Sequence, residues 1–195
     1  MHVIDNFLPQ ELFVALKESV ASPKQIWYYF SNISTDMFKV VDDFLPSYQF
    51  KEIQSLLMGP EFPWYYNDHI CGEGDGLFQD KHTFYNRQSG MTSDYLSFFD
   101  YCLNKLGVKE LWRIKANANT RSFLKRFSCY HTDCFPCPYT AVYYINTNNG
   151  YTKFKKGGKV KSVANRMVIF DSKMVHAGVT CSDQKRRVVV NFNWE

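Results

Sequence analysis

The chain has 195 residues, which is enough for one domain with a full hydrophobic core. Its apolar fraction of 45%, with 17 Phe, 13 Tyr and 4 Trp, excludes an intrinsically disordered chain and favours a β-rich globular protein. The net charge of +4 permits an anionic ligand but does not require nucleic acid as the partner.

The sequence predicts no membrane segment and no secretion signal. No apolar run reaches membrane-spanning length, and the first residues have neither a basic nor an apolar signal region, so we expect a cytoplasmic protein. A chain of this length without a secretion signal does not need disulfides, so we expect its six cysteines to be free thiols. Cys134 and Cys137 have the spacing of a zinc knuckle, but the absence of a second such pair disfavours a zinc site.

Residues 1–37 and 38–74 repeat one pattern. Val-Ile-Asp-Asn-Phe-Leu-Pro in the first copy returns as Val-Val-Asp-Asp-Phe-Leu-Pro in the second. Each copy predicts a short strand, a helix that begins near the proline and a second, aromatic strand. In the second copy Phe50, Ile53 and Leu57 share one helical face. We interpret the repeat as a duplicated packing layer over one sheet, with an arm for self-association or substrate capture as the alternative.

The middle of the chain predicts a loop, a strand and a helix. Residues 67–81 are rich in Gly and Asp and predict a loop, which can act as an active-site lid. Residues 82–85 predict a strand. Residues 92–106 predict a helix that ends at Gly107.

From residue 111 onwards, short apolar runs are separated by turns. The predicted strands span residues 111–117, 123–130, 139–146, 151–155, 159–163, 166–171 and 187–194. This density of strands predicts a mainly β chain with flanking helices (α+β), built as a sandwich or jelly roll. We therefore expect a single domain over residues 1–195, with its core in residues 111–195.

Three residues in this last third can hold one metal ion: His131, Asp133 and His176. His131 and Asp133 are two positions apart, so both side chains point to one face of a strand. His176 follows an apolar strand, at a strand end where a site can open. Two histidines and one carboxylate can occupy one face of an octahedral iron(II) ion and leave the other face open. A lone His-x-Asp is more often a structural ion pair, and the ordered features that follow it favour the metal site.

A basic residue follows His176 by ten or eleven positions and can bind a carboxylate through two parallel hydrogen bonds. Strand parity separates the two candidates, because Arg187 shares a face with the polar Asn191 and Asn193, whereas Arg186 points to the apolar face. We therefore choose Arg187 and keep Arg186 as the alternative.

These motifs resemble the iron(II)- and 2-oxoglutarate-dependent dioxygenases, most closely their prolyl 4-hydroxylase-like branch. The matching text follows the family's order and spacing over about residues 111–195: His131-Thr-Asp133, Ala141 to Asn146, Gly150-Tyr-Thr152, Asn165 to Ser172, His176-Ala-Gly178 and Arg187 to Trp194. The resemblance implies a double-stranded β-helix (a cupin-like jelly roll) with helices packed on one sheet.

The resemblance also implies the site and its chemistry. His131, Asp133 and His176 would bind iron(II), and Arg187 and Tyr144 would bind 2-oxoglutarate. The co-substrates would be 2-oxoglutarate and O₂, with ascorbate as a further reductant, and the products succinate and CO₂. The enzyme would hydroxylate an unactivated C–H bond. The resemblance favours a protein or peptide side chain such as proline as the substrate, with a small molecule as the alternative.

The remaining polar residues of the predicted strands are candidates for binding the substrate. These weaker candidates are Lys115, Asn117, Asn191 and Asn193.

Two other functions stay open. The lysines of the hairpin near residues 153–161 could contact phosphate, and Trp64, Tyr65 and Tyr66 could stack on bases, which would fit a nucleic-acid-directed dioxygenase. We expect instead a solvated hairpin and at least two of the three aromatic residues in the core. The other alternative is a non-catalytic jelly-roll binding module.

Overall fold

The computed structural model describes residues 38–73, 75–133 and 137–195, so the first copy of the repeat lies outside the described residues. In chain order the elements are β1 (Lys39–Val41), α1 (Ser47–Met58), β2 (Tyr65–Asn67), β3 (Gln79–Asn86), β4 (Gly90–Met91), a 3₁₀ helix (Asp94–Phe99), α2 (Asp100–Leu106), β5 (Leu111–Thr120), β6 (Tyr139–Tyr144), β7 (Tyr151–Phe154), β8 (Lys159–Lys161), β9 (Arg166–Asp171), β10 (His176–Val179) and β11 (Arg186–Trp194). None of the helices in these ranges is long and apolar enough to cross a membrane.

Two antiparallel sheets make up the β structure. The larger sheet has the order β1-β9-β6-β11-β5-β3-β2, with β4 paired to β3, and the smaller has the order β10-β7-β8. The sheets face each other across a small core in which the Phe154 and Phe170 rings pack edge to face with centroids 5.0 Å apart. Two facing antiparallel sheets with this connectivity form the jelly roll expected from the strand density.

The other face of the larger sheet is covered by helices. α1 buries Phe50, Ile53 and Leu57, as predicted, and α2 buries Cys102 and Leu106 against the same cluster. Burying each large apolar side chain stabilises the fold by about 1.5–3 kcal/mol. The second copy of the repeat is therefore part of the packing layer, and the role of the first copy stays a prediction.

Asn165 joins the second copy of the repeat to the jelly roll. Its side-chain oxygen accepts hydrogen bonds from the Leu45 N–H (3.0 Å) and the Tyr143 hydroxyl (2.7 Å), and its amide donates to the Leu45 carbonyl (2.8 Å). Its backbone lies in the left-handed region with φ of 62°, which asparagine tolerates better than most residues. The turn before β9 thus fixes the segment that leads into α1.

β11 lies between β6 and β5 and supplies side chains to both layers. Val188, Val190 and Phe192 pack into the core under the helices. Arg187 and Asn191 instead point between the two sheets, where they line a cavity. The two-residue period of the strand therefore separates a packing face from a polar face.

The predicted strand over residues 123–130 is wrong. This segment runs along β10, but only isolated bridges form there, and Ser128 Oγ accepts the hydrogen bond from Gly178 N in place of a backbone carbonyl. The side chain of Phe123 is 97% exposed. A side chain that replaces a backbone acceptor interrupts the regular pairing, and the apolar composition of the segment gave no sign of this.

The predicted helix over residues 92–106 is two elements, the 3₁₀ helix and α2. Ser93 Oγ accepts a hydrogen bond from Tyr95 N, and Gly107 ends α2 in the left-handed conformation, as predicted. The tighter 3₁₀ turn rotates the apolar stripe, so Phe98 is exposed.

Two further expectations are wrong: that at least two of Trp64, Tyr65 and Tyr66 lie in the core, and that all six cysteines are free thiols. Tyr65 and Tyr66 are 59% and 68% exposed, because β2 is the outer strand of its sheet and only Trp64 packs against the core. Cys71 and Cys129 are not free thiols but form a disulfide, since the fold brings the loop between β2 and β3 next to the segment before His131. This loop is shorter than the predicted 67–81, because β3 already begins at Gln79.

Candidate metal centre and co-substrate pocket

A cavity of about 530 Å³ opens between the two sheets, lined mainly by β5, β10, β11 and the loops around them. This volume lies within the range of small-molecule sites. The cavity brings together four residues that the sequence singled out: His131, Asp133, His176 and Arg187.

Hydrogen bonds of the backbone and of the imidazole rings position the two histidines. His131 and His176 exchange two backbone hydrogen bonds of 2.9 Å, which fixes the start of β10 against the segment before Asp133. His131 Nδ1 lies 3.0 Å from the Cys129 carbonyl, and His176 Nδ1 lies 3.0 Å from the Met174 carbonyl. Because a carbonyl only accepts, Nδ1 carries the proton in each ring and the Nε2 lone pair is left free to bind a metal.

Burial favours the neutral form of His176. The side chain is 3% exposed, and desolvation lowers its pKa, although the nearby Asp133 carboxylate acts in the opposite direction. A neutral imidazole is the form that binds a metal ion.

Asp133 presents one fixed and one unsatisfied oxygen. Arg113 Nη2 lies 3.5 Å from Oδ1, and His176 Nε2 lies 3.9 Å from Oδ2. Oδ2 is buried and has no hydrogen-bond partner among the described residues. A buried, unsatisfied carboxylate oxygen is costly in a folded protein, and a bound cation would remove that cost.

The donor set fits a metal ion. One ligand atom from each of His131, Asp133 and His176 lies within 4.8 Å of the other two. Two neutral imidazoles and one carboxylate are ligands suited to non-haem iron(II). The histidine N–H bonds to carbonyls and the arginine at Asp133 are the outer contacts that hold such ligands in place.

Arg187 lies deep in the cavity without a carboxylate partner in the described part of the chain. Its Nε donates to Ser162 Oγ (2.9 Å) and its Nη2 to Thr152 Oγ1 (3.2 Å), and burial lowers its pKa. Arginine nevertheless stays protonated, because its intrinsic basicity is so high. A buried guanidinium held only by neutral hydroxyls can bind a carboxylate with both parallel N–H groups.

Arg186 and Tyr144, the two other residues predicted for 2-oxoglutarate binding, do not line the cavity. Arg186 points to the helix side of the sheet, where its Nη2 donates to the Met58 carbonyl at 3.1 Å, so it does not reach the cavity. Tyr144 is fully buried beside Arg187 and donates its hydroxyl to Thr152 Oγ1 at 2.8 Å, but it does not line the cavity. Its role in binding 2-oxoglutarate stays a prediction. Because Tyr144 does not line the cavity, that role would be indirect, through Thr152 or Arg187.

Three of the four weaker substrate candidates line the cavity: Lys115, Asn117 and Asn191. The fourth, Asn193, is fully buried behind the wall, where its Oδ1 accepts from Arg113 Nε at 3.0 Å and its amide donates to Thr140 Oγ1. Asn193 therefore orients Arg113 instead of lining the cavity.

Reasoning from the sequence missed several residues of the pocket. Arg113 has the same strand parity as Lys115, which could have identified it. Thr152 and Ser162, which hold Arg187, lie on β7 of the smaller sheet and directly after β8, and their approach depends on how the two sheets pack. No local pattern contains that information.

The disulfide lies at the mouth of the cavity. Cys71 belongs to the loop between β2 and β3, whose Ile70 and Leu77 line the cavity, and Cys129 is two residues before His131. Backbone hydrogen bonds from Cys71 and Leu77 lower the pKa of Asp75 in this loop to about 2. The two sulfur atoms and one ring nitrogen of His131 lie within 4.8 Å of one another.

The hairpin lysines lie apart from this cavity. Lys155, Lys156, Lys159 and Lys161 are exposed on β8 and its turn, and none of them lines it. This placement fits the solvated hairpin that we expected.

Solved structures with a similar fold are numerous, although no family model and no curated protein sequence matches the chain. A prolyl-4-hydroxylase from Pseudomonas putida has a TM-score of 0.62 and 15% identity, covering 88% of this chain and 100% of that one. A 2OG-Fe(II) oxygenase family oxidoreductase from Burkholderia pseudomallei has a TM-score of 0.65 and 11% identity, covering 87% and 90%. A Trichoplax adhaerens prolyl hydroxylase, solved with a hypoxia inducible factor peptide fragment, has a TM-score of 0.58 and 16% identity, covering 91% and 95%.

The chain therefore has the fold of the 2-oxoglutarate- and iron(II)-dependent oxygenases, including their prolyl hydroxylase branch. The prediction of a mainly β, double-stranded β-helix with flanking helices is confirmed.

Proposed function

We propose that the protein is an iron(II)- and 2-oxoglutarate-dependent dioxygenase that hydroxylates an unactivated C–H bond. The observation that carries the proposal is the buried, unsatisfied Asp133 Oδ2, next to two imidazoles whose Nε2 lone pairs are free. No described side chain donates a hydrogen bond to that oxygen, whereas a divalent cation would satisfy it.

In this proposal His131, Asp133 and His176 hold the metal. Iron(II) with a bound 2-oxo acid supplies the activation of O₂, with succinate and CO₂ as products. The described side chains contribute orientation and charge. The Cys129 and Met174 carbonyls set the tautomer of each histidine, and Arg113 holds Asp133 Oδ1.

Arg187 would bind the distal carboxylate of 2-oxoglutarate. Ser162 and Thr152 hold the guanidinium in one orientation, and Tyr144 holds Thr152. Charge-assisted bonds to a carboxylate in this dry part of the cavity would be roughly twice as strong as neutral ones. The walls of Val142 and Val189 keep bulk water from the bound 2-oxo acid.

A protein or peptide side chain is the first substrate class to test. The prolyl hydroxylases among the similar structures suggest it, and the rim of the cavity supports it. Phe78 and Phe127 line the mouth and are about half exposed, and Tyr66 stacks on Phe78 with ring centroids 6.0 Å apart. Exposed aromatic rings at a cavity mouth are suited to holding an extended peptide.

Succinate formation tests the proposal. We expect the purified protein with iron(II), 2-oxoglutarate, O₂ and ascorbate to form succinate, and proline-containing peptides to increase the rate. His131→Ala should lower the rate by at least ~100-fold, because the metal loses one of three protein ligands. His69→Ala is the matched control, since His69 is a partly exposed loop histidine that bonds to Asp68 and does not line the cavity. Equal succinate formation by wild type and His131→Ala would overturn the proposal.

A further inference from the structure

The cavity carries more positive charge than the proposed metal and co-substrate need. Among the described residues, the cavity is lined by a single acidic residue, Asp133, and by five cationic ones: Arg113, Lys115, Arg121, Arg126 and Arg187. An iron(II) ion and a 2-oxoglutarate dianion add opposite charges of equal size, so their binding leaves this excess unchanged. With Arg187 assigned to 2-oxoglutarate, four cationic residues still line the cavity.

Lys115 is the one cation of this group that lies inside the wall without a partner. It is partly buried on β5, between Arg113 and Asn117 along the strand and opposite Asn191 on β11. Its Nζ makes no hydrogen bond or ion pair with any described residue. The burial of the site and the nearby Arg113 charge lower the pKa of Lys115 to about 8. The Asp133 carboxylate acts in the opposite direction, but it is already shared with Arg113 and does not reverse the shift. A buried cation beside another cation is destabilising unless a ligand compensates it.

Two amide side chains next to Lys115 are also unsatisfied. Asn117 Oδ1 and Asn191 Oδ1 are buried and lack hydrogen-bond partners in the described ranges, and both residues line the cavity. These two amides and Lys115 form one continuous polar patch on the inner face of β5 and β11, on the wall that also holds Arg113. Unsatisfied buried polar atoms that cluster in a cavity indicate a ligand that would satisfy them.

Arg113 is held so that it faces the same patch. Its Nε is bonded to Asn193 Oδ1, and its Nη2 lies 3.5 Å from Asp133 Oδ1. The guanidinium therefore lies next to the candidate metal ligand Asp133, and its charge acts on Lys115. An anion bound by Lys115 would lie in the same cavity as the candidate metal ligands.

Building on the proposed function, we propose that the substrate carries an anionic group, a carboxylate or a phosphate, which binds to Lys115 with Arg113 beside it. Asn117 and Asn191 would accept hydrogen bonds from donor groups on the same substrate. The site would thus select an anionic small molecule or an anionic residue of a peptide over a neutral prolyl side chain alone.

Anion titration of the full chain tests this proposal. The protein, with manganese(II) and saturating 2-oxoglutarate, is titrated calorimetrically at constant ionic strength with acetate, methylphosphonate and the neutral acetamide. We expect saturable binding of at least one anion and none of acetamide. Tighter binding of methylphosphonate would identify a phosphorylated substrate, and tighter binding of acetate a carboxylate.

Lys115→Met is the informative variant. It should weaken anion binding by roughly 10-fold or more, as expected when a hydrogen bond to a charged group is lost, and leave 2-oxoglutarate binding within ~2-fold of wild type. Without ligands, this variant should melt at or above the wild-type temperature, because a partly buried cation without a hydrogen-bond partner has been replaced by an apolar side chain of similar length. Lys156→Met is the matched control, because it removes one exposed positive charge and should change none of these quantities.

The opposite results separate the two proposals. A protein that binds 2-oxoglutarate but neither anion overturns the anionic substrate and leaves the dioxygenase proposal intact. Anion affinity that is unchanged in Lys115→Met, or a loss of 2-oxoglutarate binding in that variant, also overturns it. A protein that binds no 2-oxoglutarate in the presence of metal overturns the proposed function on which the inference rests.

Discussion

At the residue scale, Gly150 shows how closely the backbone surrounds Arg187. A Cβ atom at Gly150 would lie 2.8 Å from Arg187 Cδ, from Asn148 Oδ1 and from the Val179 carbonyl oxygen. Real side chains do not approach this closely, so either the arginine or the strand would have to move. Glycine is therefore required at this position to hold Arg187 in place.

We predict that Gly150→Ala lowers the free energy of unfolding by about 1–3 kcal/mol, because it overpacks a closed site. It should also weaken 2-oxoglutarate binding by displacing Arg187. Urea unfolding and a 2-oxoglutarate titration measure the two effects. Gly72→Ala is the control, because the space around Gly72 is open, and we expect it to stay within ~0.5 kcal/mol of wild type. Equal effects of the two substitutions would contradict the close approach at Gly150.

The sequence could predict residues whose spacing matches the period of one strand. Counting by two along a strand puts His131 and Asp133 on one face. The same count selects Arg187 over Arg186 for the polar face. Contacts between distant positions could not be predicted in this way. Asn193 bonds to Arg113 across 80 positions, and this contact depends on the register of β11 against β5.

At the element scale, the turn before β9 and the segment before α1 act as one unit because Asn165 bonds to both backbone groups of Leu45. The helical face of α1 could be predicted from its 3.6-residue period. The anchor that holds α1 on the sheet could not, since it joins residues 120 positions apart. The strand prediction for residues 123–130 was wrong for a similar reason, because the pairing of this segment with β10 uses a side-chain acceptor.

We predict that Asn165→Ala lowers the free energy of unfolding by about 3 kcal/mol or more, because three buried groups lose their partners. Asn165→Gly loses the same bonds but adopts the left-handed backbone without strain, so it should be about 1 kcal/mol less destabilised than the alanine variant. Urea unfolding compares the two. An alanine variant as stable as wild type would show that Asn165 does not anchor the segment.

The Cys71–Cys129 disulfide joins the loop at the cavity mouth to the segment before the candidate metal ligands. We predict that Cys71→Ser lowers the free energy of unfolding by about 2–4 kcal/mol, because the bond closes a loop with a sequence separation of 58 residues. Reductant should lower the stability of wild type by a similar amount and leave the variant unchanged. Peptide mapping without reductant checks the bond directly, and finding both cysteines as thiols in folded protein would contradict it.

At the scale of the whole molecule, the two hydrophobic cores and the candidate site that the structure describes are formed by residues within 38–195. The second copy of the repeat supplies β1 and α1 to this unit. We therefore predict that deletion of residues 1–37 leaves a folded protein that binds manganese(II) as wild type does. Circular dichroism and metal titration measure this, and an insoluble truncation would show that the first copy is part of the core.

The central claim is that two histidines, one carboxylate and Arg187 form a single iron and 2-oxoglutarate site. Anaerobic titration with iron(II) and then 2-oxoglutarate tests it most directly, through the weak visible charge-transfer band of the chelate. We predict the band in wild type, a dissociation constant for 2-oxoglutarate raised by ~10- to 100-fold in Arg187→Ala, and little change in Arg186→Ala, whose side chain faces the helices. A folded wild-type protein that gives no band would contradict the account.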